Sequence, residues 1–166
     1  MLKLSFFSLF LYTLNMKIIY TKNEKETKKT AFNLALNFKG GEILALQGEL
    51  GSGKTSFTKG IAQALNIKKK VCSPTFVILN QYQVKSRLNK NIKFLYHIDA
   101  YRLKTKRDLE NIGFFDIIND PKSLIVIEWA DKIKKYLPPK SIWLNFSIIK
   151  SNDSGLAGQR KIEIFS

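Results

Sequence analysis

The amino-acid sequence predicts an α/β fold, a single domain in which helices flank a mixed central sheet. The length of 166 residues suits one ordinary domain and is too short for two. Short apolar runs alternate along the chain with segments of helical periodicity, the arrangement expected of α/β proteins. A hydrophobic content of 45% supplies enough apolar side chains for a packed core.

Seven segments have the short apolar or alternating pattern of β-strands. The runs 42–47 and 123–130 are almost wholly apolar, which is typical of strands buried on both faces of a parallel sheet. The runs 141–149 and 160–165 alternate, which predicts antiparallel strands joined by a turn-rich linker. The remaining predicted strands are 17–21, 75–84 and 92–99.

Three helices are predicted between these strands. The first spans 23–38, where Asn23 and Glu26 form a capping signal ahead of apolar residues at helical spacing. The second follows a glycine-rich loop, and the third contains a glycine that should break it. These two helices run from about Lys54 to Leu65 and over 107–118, with the break near Gly113.

The first fifteen residues, MLKLSFFSLFLYTLN, are apolar with one early lysine. This run is too short to span a bilayer, and it lacks the small-residue cleavage site of a signal peptide. A second methionine, Met16, follows it directly. We therefore expect residues 1–15 to be an over-extended N-terminus outside the fold, and residues 16–166 to form the domain.

The charge balance is strongly basic, with 28 Lys and Arg against 13 Asp and Glu, a formal net charge of +15. A basic surface attracts polyanions such as tRNA, other nucleic acids or nucleotides. An AT-rich genome explains the lysine excess equally well, because lysine is accompanied by many Asn and Ile residues. The charge alone therefore does not identify a partner.

Single copies of cysteine and histidine limit the chemistry that the chain can carry. Cys72 is the only cysteine and His97 the only histidine. These counts exclude a disulfide within the chain and a metal cluster built from Cys or His. We expect an intracellular, cytoplasmic protein that has no membrane partner.

The stretch from Gly48 to Thr55, GELGSGKT, satisfies the phosphate-binding pattern G-x-x-x-x-G-K-[ST] in full. It lies between an apolar strand and a helix, where backbone N–H groups can surround a phosphate at the helix N-terminus. Lys54 can reach the β- and γ-phosphates, and the Thr55 hydroxyl can bind Mg²⁺. The motif predicts a P-loop NTPase-like fold, with a nucleotide bound by Gly48, Leu50, Gly51, Ser52, Gly53, Lys54, Thr55 and Ser56.

Phosphoryl transfer also needs a carboxylate near the Mg²⁺, usually at the C-terminal end of a neighbouring buried strand. Glu128 ends the run SLIVIE, and Asp99 ends the run KFLYHID. One acid is expected to bind the metal, directly or through water, and the other to position the attacking water. The residue pattern does not assign the two roles. His97 is left out of the catalytic set, since a lone histidine on a strand is more often structural.

Four blocks of sequence together resemble the TsaE (YjeE) family of small bacterial ATPases. These blocks are GELGSGKTSFTKGIAQAL, SPTFVILNQY at 73–82, YHIDAYRL at 96–103 and IEWADKI at 127–133. They match the family patterns G-[DE]-L-G-x-G-K-T, S-P-T-[FY], H-x-D-x-Y-R and E-W in the same order. The similarity extends from about Met16 to the end of the chain.

The resemblance implies a cofactor, partners and residue roles. TsaE proteins bind ATP and hydrolyse it slowly, and they work with TsaB and TsaD in making threonylcarbamoyladenosine in tRNA. Carried over by position, Lys54 contacts phosphate, Thr55 and Glu128 bind Mg²⁺, and Asp99 supports hydrolysis. The segment from Ser73 to Phe76 faces the nucleotide, and Thr21 to Glu26 lies near the adenine. Contact with tRNA is expected through the complex, if at all.

Three other functions remain as alternatives. A small-molecule kinase of the P-loop class needs a lid bearing arginines, for which Arg87, Arg102 and Arg107 are available. A GTPase needs N-K-x-D to recognise guanine, and the nearest string, NKNI at 89–92, lacks the aspartate. A module that binds nucleotide or RNA without turnover would not require the intact set of Lys54, Thr55 and the two acids.

Overall fold

Seven β-strands form one mixed sheet in the computed structural model, which describes residues 16–73, 77–86, 89–150 and 156–165. The spatial order of the strands is β1-β7-β6-β2-β5-β4-β3. The strands are β1 (Lys17–Thr21), β2 (Ile43–Gly48), β3 (Leu79–Gln83), β4 (Phe94–Asp99), β5 (Ser123–Glu128), β6 (Ile142–Ile148) and β7 (Arg160–Phe165).

The centre of the sheet is parallel and its two sides are antiparallel. β2 pairs in parallel with β6 and with β5, and β5 pairs in parallel with β4. The pairs β1–β7, β6–β7 and β3–β4 are antiparallel. Because parallel strands end on the same side of a sheet, the C-terminal ends of β2, β4 and β5 converge at one edge.

Helices cover both faces of this sheet. α1 and α2 pack on one face over a core that includes Leu46, Phe57 and Val126. α3, α4 and a 3₁₀ segment lie over a second core that includes Ile98, Phe114 and Ile127. The helices are α1 (Glu24–Ala35), α2 (Lys54–Ala64), α3 (Lys106–Asn111) and α4 (Phe114–Ile117), with 3₁₀ segments at Ala100–Arg102 and Ala130–Tyr136.

The two helices of the first face approach each other closely at Gly60 of α2. A Cβ atom on Gly60 would collide with the carbonyl oxygen of Lys28 and would lie 2.8 Å from the Cβ of Ala31, both in α1. Only glycine leaves enough space for this contact between the two backbones. The crossing fixes α2 against α1, and through α2 it fixes the loop that precedes it.

The predicted fold class is confirmed, with some differences at the level of elements. Asn23 caps α1, as expected, but the helix ends at Ala35 rather than near residue 38. The strand predicted over 75–84 is shorter in the structure, where β3 covers only Leu79–Gln83. Residues 74–76 lie outside the described part of the chain. The expected antiparallel pairing of 141–149 with 160–165 is found as β6 with β7, but β6 is also parallel to β2 on its other side, which was not expected.

Two further expectations bear on the chain outside the core. Residues 1–15 lie outside the described residues, so the proposed over-extension of the N-terminus stays a prediction. The break in the third helix is confirmed, because Gly113 adopts a positive φ of 66° and separates α3 from α4. None of the helices in the described ranges combines the length and the apolar character needed to cross a membrane.

Candidate nucleotide site

A glycine-rich loop connects the C-terminal end of β2 to the start of α2. Gly48, Gly51 and Gly53 have φ values of 138°, 78° and 109°, which side chains with a Cβ rarely adopt. A Cβ on Gly48 would also collide with the carbonyl oxygen of Phe146 on the adjacent strand β6. The loop therefore needs these glycines to place the backbone N–H groups at the N-terminus of α2, where an anion is favoured.

Lys54, the first residue of α2, folds back over this loop. Its Nζ donates to the carbonyl oxygens of Gly48 at 2.7 Å and Glu49 at 2.9 Å. The same nitrogen lies 4.1 Å from the ring centre of Trp129, a distance typical of a cation–π contact. Burial lowers the pKa of Lys54, and the nearby carboxylates of Glu128 and Asp99 oppose this shift in part.

Thr55, Glu128 and His97 form a chain of side-chain hydrogen bonds across the sheet edge. The Thr55 hydroxyl donates to Oε2 of Glu128 at 2.9 Å. Nε2 of His97 lies 2.8 Å from the other oxygen, Oε1. Glu128 is 3% exposed and His97 is fully buried, so both oxygens of this carboxylate are held by protein groups.

Asp99 stands beside Glu128, because the two residues are register partners at the ends of β4 and β5. Its Oδ1 accepts from the backbone N–H of Tyr101 at 3.1 Å, which caps the first 3₁₀ segment. Its Oδ2 accepts from the hydroxyl of Ser73 at 3.1 Å. Ser73 thus connects Asp99 to the segment of which Pro74, Thr75 and Phe76 lie outside the described residues.

Aromatic side chains form one wall of the site. Trp129 follows Glu128 and has a left-handed backbone with φ 58° and ψ 37°, which is uncommon for a bulky residue. Its ring packs edge-on against Tyr101, with centroids 5.1 Å apart and an interplanar angle of 61°. Trp129 therefore lines the site.

These elements enclose a cleft of about 510 Å³. Of the predicted site residues, Gly48 and Ser52 do not line it: Gly48 contributes its carbonyl to Lys54, and Ser52 is buried in the loop. The cleft is lined by Leu50, Gly51, Gly53, Lys54, Thr55, Ser56, Ser73, Asp99, Tyr101, Glu128 and Trp129. All three residues expected to be catalytic, Lys54, Asp99 and Glu128, face this one cavity.

The side chains around Thr55 fit the needs of Mg²⁺. This ion prefers hard oxygen ligands and usually takes one or two from the protein, with phosphate and water completing an octahedron. Thr55 and Glu128 supply a hydroxyl and a carboxylate 2.9 Å apart at the base of the cleft. Within the described ranges no three His, Cys, Asp or Glu side chains gather as a metal site.

The segment expected near the adenine lies beside the glycine-rich loop. The hydroxyls of Thr21 and Thr27 share a hydrogen bond of 2.8 Å at the entry to α1. A Cβ atom on Gly53 would lie 3.7 Å from the methyl carbon of Thr27 and 3.1 Å from Cδ of Arg160. Contact of this segment with a base stays a prediction.

Three residues at the site were absent from the set predicted by sequence. His97 was set aside as structural, and Tyr101 and Trp129 were not in the set. The signal for His97 was its position two residues before Asp99, which puts both side chains on the same face of β4. Its contact with Glu128, 31 residues further along the chain, depends on the pairing of β4 with β5.

The fold and the loop, with its lysine, threonine and strand-end acids, define the class of P-loop NTPase folds. Residues 21–162 match the family profile described as threonylcarbamoyl adenosine biosynthesis protein TsaE. The chain therefore belongs to the TsaE family.

Individual relatives agree with this assignment. The tRNA threonylcarbamoyladenosine biosynthesis protein TsaE of Bacillus subtilis is 38% identical over 122 residues, which are 74% of this chain and 72% of that protein. The protein of the same name from Aquifex aeolicus is 32% identical over 152 residues, 90% of this chain and 96% of that protein. The crystal structure of Bacillus subtilis YdiB superposes with a TM-score of 0.69 at 29% identity, covering 93% of this chain and 88% of that one.

Proposed function

We propose that this protein is a Mg²⁺-dependent ATPase that acts in tRNA threonylcarbamoyladenosine biosynthesis. The observation that carries the proposal is the contact of Thr55 with Glu128 at 2.9 Å, directly below the glycine-rich loop. This contact joins the hydroxyl and the carboxylate that P-loop enzymes use for Mg²⁺. Family membership supports the pathway, since the relatives carry that name.

Each residue of the cleft takes a defined role in this proposal. The backbone N–H groups of the loop bind the phosphates, and Lys54 exchanges its carbonyl partners for phosphate oxygens. Thr55 and Glu128 would hold Mg²⁺. When bound, this ion would neutralise negative charge on the phosphate oxygens. Asp99 accepts a hydrogen bond from the attacking water and orients it toward the terminal phosphate.

ATP hydrolysis is favoured over transfer to a metabolite by the lining of the cleft. A P-loop kinase stabilises the transferred phosphoryl group with arginines, commonly from a lid. Among the described residues that line the cleft none is an arginine. Arg160 lies beside Gly53 of the loop but outside this lining, as do Arg102 and Arg107, and Arg87 is outside the described ranges. Water is therefore the acceptor that we propose.

We further propose that the ATPase supports turnover of a cytoplasmic complex with TsaB and TsaD, and that tRNA is reached through that complex. Leu50, 87% exposed, and Tyr101, 56% exposed, stand at the mouth of the cleft. Apolar groups at such a position suit a nucleotide site that a partner protein covers. The proposal assigns the chemical modification of the tRNA to the partners and the nucleotide cycle to this chain.

The ATPase part of the proposal is tested with purified protein and its partner complex. Lys54→Ala removes the phosphate contact and Glu128→Ala removes the metal ligand, so each should abolish ATP turnover. Urea unfolding of both variants controls for loss of structure. A wild-type rate no higher than that of Lys54→Ala would contradict the enzyme proposal.

The pathway is tested by modification of tRNA in vitro with TsaB, TsaD and threonylcarbamoyl-adenylate. Multiple turnovers should require this protein and ATP, whereas omission should leave at most a single round. A yield of modified tRNA that is the same with and without the chain would overturn the pathway and leave the ATPase result untouched.

A further inference from the structure

The single histidine of the chain is buried directly behind the carboxylate proposed to bind Mg²⁺. His97 is 0% exposed, and its Nε2 lies 2.8 Å from Oε1 of Glu128. It does not line the cleft, so it cannot touch a nucleotide in this arrangement. Any effect of His97 on the site must therefore pass through Glu128.

The hydrogen bonds indicate which ring nitrogen carries the proton. Nδ1 of His97 is buried and has no hydrogen-bond partner in the described part of the chain. A proton on Nδ1 would leave an unpaired buried N–H, a group that native structures rarely tolerate. A proton on Nε2 instead donates to Oε1 of Glu128, which is an acceptor. The hydrogen bonds therefore place a proton on Nε2, directed at Glu128.

The sheet fixes the ring in this orientation. His97 lies in the middle of β4, between Asn80 of β3 and Val126 of β5 in the register. Its side chain and that of Glu128 point to the face covered by α1 and α2, as alternation along each strand requires. Because the ring is fully buried in a close-packed interior, the donor stays aimed at Oε1.

We propose that His97 is a positioning residue that orients Glu128 for Mg²⁺. By holding Oε1 it leaves Oε2 directed at Thr55, so the hydroxyl and the carboxylate are aligned before the nucleotide arrives. This inference rests on the proposed function, since it takes Glu128 as a metal ligand. Partners that orient metal ligands in this way typically change metal affinity by about 10–100-fold when they are removed.

Two substitutions at position 97 separate positioning from packing. His97→Gln keeps an N–H donor at the same number of bonds from the backbone, whereas His97→Leu fills the space without a donor. We would measure binding of a nonhydrolysable ATP analogue by calorimetry over a series of Mg²⁺ concentrations and in EDTA. Urea unfolding midpoints show whether either variant has lost its fold.

His97→Leu should raise the Mg²⁺ concentration needed for half-maximal enhancement of binding by about 10–100-fold. Its affinity in EDTA should equal that of the wild type, because the loop and Lys54 are untouched. His97→Gln should restore most of the Mg²⁺ response. A His97→Leu protein that is folded and has the wild-type Mg²⁺ dependence would overturn the inference.

Glu128→Gln distinguishes this inference from the function on which it rests. If Glu128→Gln leaves the Mg²⁺ dependence unchanged, the proposed metal site itself fails. If Glu128→Gln abolishes the Mg²⁺ response and folded His97→Leu does not alter it, only the role of His97 fails.

A measurement on the wild-type protein needs no variant at position 97. Because the chain has one histidine, ¹⁵N–¹H correlation of the imidazole ring yields a single set of signals. The spectrum should show the proton on Nε2 with Nδ1 unprotonated, and Glu128→Gln should shift the Nε2–H signal. A proton found on Nδ1 alone would remove the donor to Glu128 and contradict the proposal.

Discussion

The ammonium nitrogen of Lys54 lies 4.1 Å from the ring centre of Trp129, so the lysine proposed to bind phosphate is in direct contact with the residue after Glu128. Trp129 has a left-handed backbone, and its ring packs edge-on against Tyr101. Such strained conformations concentrate at functional sites, where the surrounding structure maintains them. A phosphate that draws Lys54 away must therefore alter the surroundings of this indole.

This contact predicts a fluorescence signal for nucleotide binding. The chain has two tryptophans, and Trp143→Phe would leave Trp129 as the only one. Titration of that variant with Mg-ATP should change the indole emission to a saturating value, because the cation leaves the ring face. Adding Lys54→Met to the Trp143→Phe variant should change the indole emission measured without nucleotide. Addition of Mg-ATP should then leave that emission unchanged. An emission that stays constant while calorimetry reports binding would refute this prediction.

The pKa of Lys54 predicts how nucleotide affinity depends on pH. Burial holds this pKa below the ordinary lysine value, so the ammonium loses its proton earlier than other lysines as pH rises. Phosphate favours the charged form, and ADP affinity should therefore decrease as pH rises toward the ordinary lysine pKa of about 10.4. Calorimetry at a series of pH values below that pKa measures the effect.

Lys54→Arg is the matched control for the pH dependence. Its guanidinium keeps its charge throughout the range, so the affinity of the variant should be weaker overall but nearly independent of pH. An equal decline in both proteins would assign the pH effect to other groups.

The two strand-end acids should differ in what they lose on substitution. Asp99→Asn retains the metal ligand but weakens the acceptor for water, so we expect unchanged Mg-ATP binding and a rate lower by about 10²–10⁴-fold. Glu128→Gln should weaken Mg²⁺-dependent binding as well as hydrolysis. Binding and single-turnover measurements on the two variants separate these effects. If both variants lost Mg-ATP binding and hydrolysis to the same extent, Asp99 and Glu128 would share the two roles.

The crossing of α1 and α2 predicts a stability effect at Gly60. In Gly60→Ala the new methyl group meets the carbonyl oxygen of Lys28 and the Cβ of Ala31, neither of which can move without shifting a helix. We expect the free energy of unfolding to decrease by about 1–3 kcal/mol. Gln63→Ala, at an exposed position of the same helix, should change it by no more than about 0.5 kcal/mol. Urea denaturation compares the two variants, and equal midpoints would contradict the crossing.

The sequence predicted best those features that depend on local pattern. The apolar runs placed β2 and β5 at the centre of the sheet, and the glycine-rich loop placed Lys54 at a helix N-terminus. Strand ends carry ligands in open α/β sheets, which is why Asp99 and Glu128 were expected together. The register that makes them neighbours agrees with this expectation.

Features that depend on distant parts of the chain were not predictable from pattern. The parallel pairing of β6 with β2 joins segments about a hundred residues apart, and alternation alone does not state the direction of a neighbouring strand. The bond between His97 and Glu128 exists only once β4 and β5 are in register. The positive φ of Trp129 is imposed by tertiary contacts that override the preference of a bulky residue.

In the function proposed above, the two carbonyl bonds of Lys54 would make nucleotide binding an exchange of partners. The cation would give up the oxygens of Gly48 and Glu49 for phosphate oxygens, so its contribution would be the difference between neutral and anionic acceptors. That difference grows with the negative charge of the incoming group and nearly vanishes for an uncharged one. In the proposed function the loop would thus discriminate by charge, since nucleosides and other neutral molecules offer the lysine nothing better than its own backbone.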